Sequence, residues 1–288
     1  MLTATIVVMA FTVATVVLAW LYFRRYLIAR PPLGVFNLRD IALILAFVIL
    51  IPYLDLALPL WMVGGLLAIV GLGALYVTVE PVLHRLSARW LAILVLVGAD
   101  IAAWLWLGKT SPWWHVINNL FVILCVVGIT NLWAQSGMKA RDATILAGAI
   151  AVYDLVATAL LPLTADLYVR LAGLPLTPMV SWPISSAGQR AGIGMGDLLL
   201  MATFPMVMRK AFGRTAGRAA MAIGLGAVAA LMLILIGVLR AETFAIIVVL
   251  GPLMVFQYAY WRRRCDAERT TRQYLDAEPL TASGANFN

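Results

Sequence analysis

Nine apolar runs of about the length of a membrane span occupy most of this 288-residue chain. A helix needs about 20 apolar residues to cross the hydrocarbon core of a bilayer. Backbone polar groups find no water there, so such runs fold as helices that satisfy their own hydrogen bonds. The chain is 64% hydrophobic and 12% charged, which excludes an ordinary soluble domain. We therefore predict an all-α fold, a polytopic transmembrane helical bundle.

The predicted spans are joined mostly by short connections. The second span is short, because the stretch "IPYLDLALP" at its end supplies two prolines and Asp55 where the chain should turn. We divide the chain into a five-span half at 1–142, spans six to nine at 143–264 and a polar tail at 265–288, which we expect to be disordered. The spans cover residues 3–23, 40–53, 58–79, 89–107, 115–134, 143–163, 191–208, 219–239 and 243–261.

Basic residues predict the orientation of the bundle. Of the 21 lysines and arginines, 17 follow odd-numbered spans, and only Lys109, Arg170, Arg190 and Arg240 lie on the other side. The positive-inside rule then places the N-terminus outside and the C-terminus in the cytoplasm. Because the charges flank apolar runs, they favour contact with the lipid bilayer over nucleic acid. Short loops and the lack of an N-x-S/T site favour a prokaryotic plasma membrane.

Two carboxylates interrupt apolar spans. Asp154 lies in "AVYDLVATALLP" and Asp197 in "GIGMGDLLLMATFPM". A charged side chain at the bilayer centre costs roughly 2.5 to 3.5 kcal/mol, so such residues point to function. Asp154 comes 13 residues after Arg141 and Asp197 comes 12 residues before Arg209. At 1.5 Å per residue, both lie roughly 18 to 20 Å from the cytoplasmic face.

Two carboxylates at one level can act as an acid and base pair. Like charges held close share one proton, so one group acts as a base while the other acts as an acid. Such a dyad can deprotonate a water that attacks a peptide carbonyl and then protonate the departing amine. Three glycines recur before Asp197, at Gly192, Gly194 and Gly196, and favour an extended or flexible entry into span seven.

These residues carry a resemblance to a known family. Tyr153-Asp154 followed by Gly194-Met195-Gly196-Asp197 resembles the YD and GxGD signatures of the presenilin and signal peptide peptidase family of intramembrane aspartyl proteases. The resemblance covers about residues 143–256 and implies a presenilin-like bundle of about nine spans. It also implies that Asp154 and Asp197 are catalytic and that Tyr153 lies beside them. Gly194 and Gly196 are then expected to let the substrate and span six come near.

The family has a third motif, Pro-Ala-Leu, in its ninth span. The match here is Pro252, followed by Leu253 where the family has Ala. The resemblance implies that Pro252 helps to shape the active-site cleft. It further implies no metal or organic cofactor, and substrates that are single transmembrane helices or signal-peptide remnants. The oligomeric state is left open.

Two other functions compete with this interpretation. A prepilin-type peptidase also uses a membrane GxGD aspartate, but its motif continues with a lysine two residues later, where this chain has Leu199. An ion-coupled transporter could use the aspartates as ion sites, and internal duplication is its expected signature. We see no such duplication. Zinc proteolysis needs two histidines four residues apart, and His84 and His115 do not meet that spacing.

Other polar residues in the spans are expected to be structural. Asp100 has no family motif around it, which favours a hydrogen-bonding role. Asn118, Asn119 and Gln257 are predicted to form hydrogen bonds between helices, a common use of amides in membranes.

Overall fold

The computed structural model describes residues 1–28, 38–159, 161, 163–184, 189–234, 246–265, 267–270 and 273. Within these residues the chain forms ten helices and one two-stranded hairpin. The elements are α1 (Leu2–Arg25), α2 (Leu38–Ala57), α3 (Leu60–Val79), α4 (Leu86–Leu107), α5 (Pro112–Gln135), α6 (Ala140–Ala159), α7 (Leu163–Leu171), β1 (Met179–Pro183), β2 (Arg190–Gly194), α8 (Met195–Phe212), α9 (Arg214–Ile234) and α10 (Ile247–Cys265).

Six helices are long and apolar enough to cross a membrane, namely α1 to α5 and α9. The predicted class, a helical membrane protein, is therefore confirmed by these six helices. The other three long helices contain more charge: α6 carries two aspartates and an arginine, α8 ends on Arg209 and Lys210, and α10 ends on three arginines. The count of nine spans stays a prediction.

Helix α5 is the centre of the bundle. It packs against α1, α3, α4, α8 and β1. Its buried residues include Phe121 and Val126, which belong to the main hydrophobic core. Because α5 also reaches α8, the predicted N-terminal half and the segment with spans six to nine share one core.

The connection after span six differs from the prediction. We expected an irregular loop at 164–190 and a span beginning at residue 191. Instead the connection contains the short helix α7 and the hairpin, and α8 begins only at Met195. The physical reason is that residues 190–194 pair with β1 in an antiparallel ladder, which ends at Gly194 opposite Met179. The all-α fold thus needs the addition of one hairpin.

The predicted disordered tail, 265–288, lies largely outside the described residues. Its described part is Cys265, residues 267–270 and residue 273. Here the chain turns back onto the bundle, since the Arg269 N–H donates to the Ala211 carbonyl at 3.1 Å. The tail therefore begins with a segment that is packed on α8.

Candidate active site

Asp154 and Asp197 lie on two helices that pack against each other, α6 and α8. Asp154 comes 14 residues after Ala140, where α6 begins, and Asp197 comes 15 residues before Phe212, where α8 ends. Those two ends are neighbours, because the Lys210 ammonium donates to the Met138 carbonyl at 3.4 Å. The helices are therefore antiparallel, and both aspartates lie roughly 21 to 23 Å from the same end.

The two carboxylates share one electrostatic environment. Asp154 is close enough to Asp197 for the two carboxylate charges to repel each other. Both residues are half-buried, and the carboxylate of Asp197 is the more deeply enclosed of the two. The structure thus brings together the two residues that the sequence singled out.

A third element, α10, completes the surroundings of Asp197. The backbone N–H of Ile247 lies close to the Asp197 carboxylate. Ile247 is the first residue of α10, and the first N–H groups of a helix have no partner within it. They also favour nearby negative charge. This contact was not predictable from the sequence, because no polar capping residue directly precedes Ile247 to mark the start of a helix.

The two motif glycines border open space next to Asp197. A Cβ placed on Gly196 has no atom within 4 Å, and one placed on Gly194 lies 3.9 Å from the nearest carboxylate oxygen of Asp197. Both residues are exposed. We expected these glycines to let span six come near, and the structure does not show such an approach. The space that they leave is free for another chain.

The close approach to α6 is made by Gly251 instead. A Cβ at this position lies 2.5 Å from the Ala151 Cβ and 2.7 Å from the Ala147 carbonyl oxygen, so only glycine fits. Gly251 is buried, whereas the next residue, Pro252, is exposed and Leu253 is half-buried. In the Gly-Pro-Leu sequence it is therefore the glycine that brings α10 against α6.

Tyr153 precedes the first aspartate on α6. Its side chain is half-buried, and its hydroxyl is buried without a hydrogen-bond partner among the described residues. The hydroxyl thus keeps its capacity to donate a hydrogen bond beside Asp154.

The hairpin leads directly into Asp197. The Met195 N–H donates to the Pro178 carbonyl at 2.9 Å, so these two residues form a hydrogen-bonded pair. Hydrogen-bonded and non-hydrogen-bonded pairs alternate along an antiparallel ladder. The N–H and carbonyl of Gly192 and the N–H of Gly194 therefore point away from β1. No hydrogen bond joins these groups to another described residue. At the start of β2 the edge that faces away from β1 is occupied, because the Arg190 carbonyl accepts from the Tyr168 hydroxyl at 2.8 Å. The open edge of β2 is therefore the part from Gly192 to Gly194, which ends three residues before the aspartate.

Buried amides on α5 hold the opposite edge of the hairpin. Asn119 pairs with Ser181 twice, donating to its carbonyl at 3.0 Å and accepting from its N–H at 2.8 Å. Asn118 donates to the Thr177 and Met179 carbonyls. We predicted bonds between helices for these two residues, and that was wrong. Their partners are backbone groups of β1 and of Thr177 just before it, which face away from β2 and would otherwise be buried without hydrogen bonds.

Two further contacts fix the base of the hairpin. An Asp100 carboxylate oxygen accepts from the Leu176 N–H at 2.6 Å, which confirms its structural role. The His115 ring nitrogen Nδ1 lies 2.9 Å from the Ser181 hydroxyl. For Gln257, also predicted to bond between helices, the side-chain carbonyl is buried without a partner among the described residues.

We expect Asn119→Ala to loosen the hairpin. The change leaves the Ser181 N–H and carbonyl buried without partners, at a cost of about 1 to 3 kcal/mol for each group. Hydrogen exchange at the hairpin amides should accelerate by at least tenfold. Asn131→Ala is the matched control, because Asn131 is buried on the same helix and donates to the Ala19 carbonyl of α1 instead. Equal hairpin exchange in the two variants would show that Asn119 does not hold β1.

Comparisons with known proteins add no assignment. The chain matches no protein-family model and no curated protein sequence. Within the described ranges, no three His, Cys, Asp or Glu side chains are grouped so that they could hold a metal ion.

Proposed function

We propose that this protein is an intramembrane aspartyl protease that hydrolyses peptide bonds within single transmembrane helices. The observation that supports this most directly is the pairing of Asp154 and Asp197 at one level of two antiparallel, packed helices. Asp154 is half-buried, and the open space at the exposed Gly194 and Gly196 borders Asp197, so a substrate can approach the pair from that side. The presenilin-like YD and GxGD sequences point to the same chemistry.

The pair acts as an acid and a base that share one proton. One carboxylate takes a proton from a water molecule, which attacks the scissile carbonyl. The other then donates its proton to the departing amine, and the resting state returns when the protons are exchanged. Tyr153 has a hydroxyl free to donate to the substrate or the intermediate beside Asp154.

The open edge of β2 suggests how a helical substrate becomes cleavable. In a helix each carbonyl is hydrogen-bonded and shielded, so hydrolysis requires local unwinding, which is costly in lipid. An extended segment can recover these bonds by pairing with the N–H and carbonyl of Gly192 and the N–H of Gly194. Such pairing ends next to Asp197, which places the unwound segment at the dyad.

Reconstituted protein tests this function directly. Purified protein in liposomes should cleave transmembrane peptides, and a peptide mimic with a hydroxyl in place of the scissile carbonyl should inhibit, because it resembles the tetrahedral intermediate. The same liposomes distinguish the alternatives. Prepilin-type cleavage would fall outside the hydrocarbon core, and a transporter would move ions or protons without cleaving any peptide.

Cleavage should have a bell-shaped pH dependence. The productive form of the dyad holds one proton, so activity is lost when both carboxylates are protonated and when both are ionised. Initial rates on one peptide across acid to alkaline buffers, with folding checked at each pH, measure this. A flat profile over that range would contradict a two-carboxylate mechanism.

The orientation can be tested with single cysteines. In a Cys265→Ser background, where the remaining Cys125 is buried, we expect Gln189→Cys to react with an impermeant maleimide added to intact cells. Arg218→Cys, also exposed, should react only after permeabilisation. This orientation favours substrates whose N-terminus is cytoplasmic, including signal-peptide remnants. The reverse labelling pattern would reverse the predicted substrate preference.

A further inference from the structure

The segment 267–270, which we call the tail clip, contacts the ends of both aspartate-bearing helices. A Glu268 carboxylate oxygen accepts from the Ala140 N–H at 2.8 Å. Ala140 is the first residue of α6, so its N–H has no partner within the helix. The second Glu268 oxygen lies 3.5 Å from the Tyr258 hydroxyl of α10.

The next residue binds the end of α8. The Arg269 guanidinium donates to the Arg209 carbonyl at 2.9 Å and to the Ala211 carbonyl at 3.4 Å, and the Arg269 backbone N–H donates to the same Ala211 carbonyl. Both carbonyls belong to the last turn of α8. The Arg209 carbonyl also accepts from the Gly213 N–H at 2.9 Å, whereas the Ala211 carbonyl lies beyond the last internal donor of the helix. Space for the guanidinium is provided by Gly213, where an added Cβ would lie 3.4 Å from it.

The charges of the clip match the two helix ends. A carboxylate is favourable at the N-terminus of a helix and a cation at the C-terminus, each by about 0.3 to 1 kcal/mol. Glu268 and Arg269 are adjacent in the chain, so they join α6 to α8 through a single peptide unit.

We propose that the tail clip is a positioning device that sets the separation of α6 and α8, and through it the separation of Asp154 and Asp197. This role rests on the proposed protease function. The aspartates lie roughly 21 to 23 Å along their helices from the clipped ends. If α6, a helix of 20 residues, pivots at its far end, a separation of about 3 Å at the clipped end moves the Asp154 carboxylate by about 1 Å. A displacement of that size can reduce a catalytic rate about 100-fold.

Spin labels measure the helix separation without reference to activity. Labels on Ile145→Cys of α6 and Thr215→Cys, at the start of α9 directly after α8, occupy exposed positions, and Cys265→Ser removes the exposed native thiol. In full-length reconstituted protein we expect one narrow distance distribution. The Glu268→Ala/Arg269→Ala variant should broaden it or shift it by more than about 3 Å. Arg264→Ala is the control, because among the described residues the recorded contacts of its guanidinium are with Tyr260 and Trp261 on its own helix.

Cleavage kinetics on the same variants test the effect on the dyad. The double variant should lose at least tenfold in kcat with KM changed less than twofold, because substrate binding does not involve the clip. Arg264→Ala should match the parent protein, and Glu268→Gln/Arg269→Lys, which keeps acceptor and donor, should recover most of kcat. If the double variant folds poorly, each single substitution should show a smaller change in the same direction.

The outcomes separate the two proposals. An unchanged distance distribution in the double variant would overturn the clip, whatever the activity. A changed distribution with unchanged kcat would overturn its positioning role. If the parent protein cleaves no peptide, the protease function fails, while the spin-label distances still test whether the clip holds α6 against α8.

Discussion

Asp154→Asn and Asp197→Asn should each abolish cleavage while the protein remains folded. A positioned acid or base contributes about 100-fold to 10,000-fold, and the two residues act as one unit, so either change should reduce kcat by at least about 100-fold. Asparagine has the same shape but carries no charge, so it removes the cost of a carboxylate in an apolar helix. The variants should therefore melt at the same temperature as the parent or higher.

The control for this experiment is Asp166→Asn. Asp166 is exposed on α7, and the substitution makes the same chemical change away from the dyad. It should keep full activity. The measurement is single-turnover cleavage of a transmembrane peptide by each purified variant, together with its thermal melting curve. Substantial turnover by Asp154→Asn or Asp197→Asn would rule out a two-aspartate mechanism.

Gly251→Ala should separate α10 from α6 and reduce both stability and activity. The new methyl group would lie 2.5 Å from the Ala151 Cβ and 2.7 Å from a backbone carbonyl, neither of which can move without shifting a helix. Overpacking of this kind costs about 1 to 3 kcal/mol. Because α10 also places the backbone N–H of Ile247 close to Asp197, we expect kcat to fall at least tenfold as well.

The same substitution at Gly148 provides the control. Gly148 lies on α6 in the same interface, and a Cβ there makes an ordinary 3.6 Å contact with Val255. Replacing a helical glycine by alanine stabilises a helix by up to about 1 kcal/mol. Gly148→Ala should therefore raise the melting temperature slightly, while Gly251→Ala lowers it. Equal effects would contradict the close contact at Gly251.

The helices were largely predictable because hydrophobic length is a local property. Predicted spans such as 3–23 and 115–134 differ from Leu2–Arg25 and Pro112–Gln135 by one to three residues at each end. The hairpin was not predictable in this way. Its strand β1 is held by Asn118 and Asn119, about 60 residues earlier in the chain, so its conformation depends on tertiary contacts that a local pattern does not contain.

In the candidate site, too, the features set by local sequence were predictable and those set by tertiary contacts were not. The levels of Asp154 and Asp197 followed from counting residues along two helices, since the helical rise is constant. The roles of Gly251 and Ile247 did not, because they depend on how α10 is placed against α6 and α8. Glycine spacing before Asp197 correctly indicated an extended entry, but it could not show which helix comes close.

The place of α10 in the chain has a consequence for the biogenesis of this protein. Synthesis proceeds from the N-terminus, so α6 and α8 leave the ribosome before α10 and the tail clip. Until then Asp197 lacks the Ile247 N–H, and the helix that packs most extensively on α6 is absent. The nascent chain therefore carries an incomplete dyad while it is inserted among other newly made membrane helices. On the proposed protease function, the late completion of α10 delays assembly of the dyad and so protects those neighbours from premature cleavage.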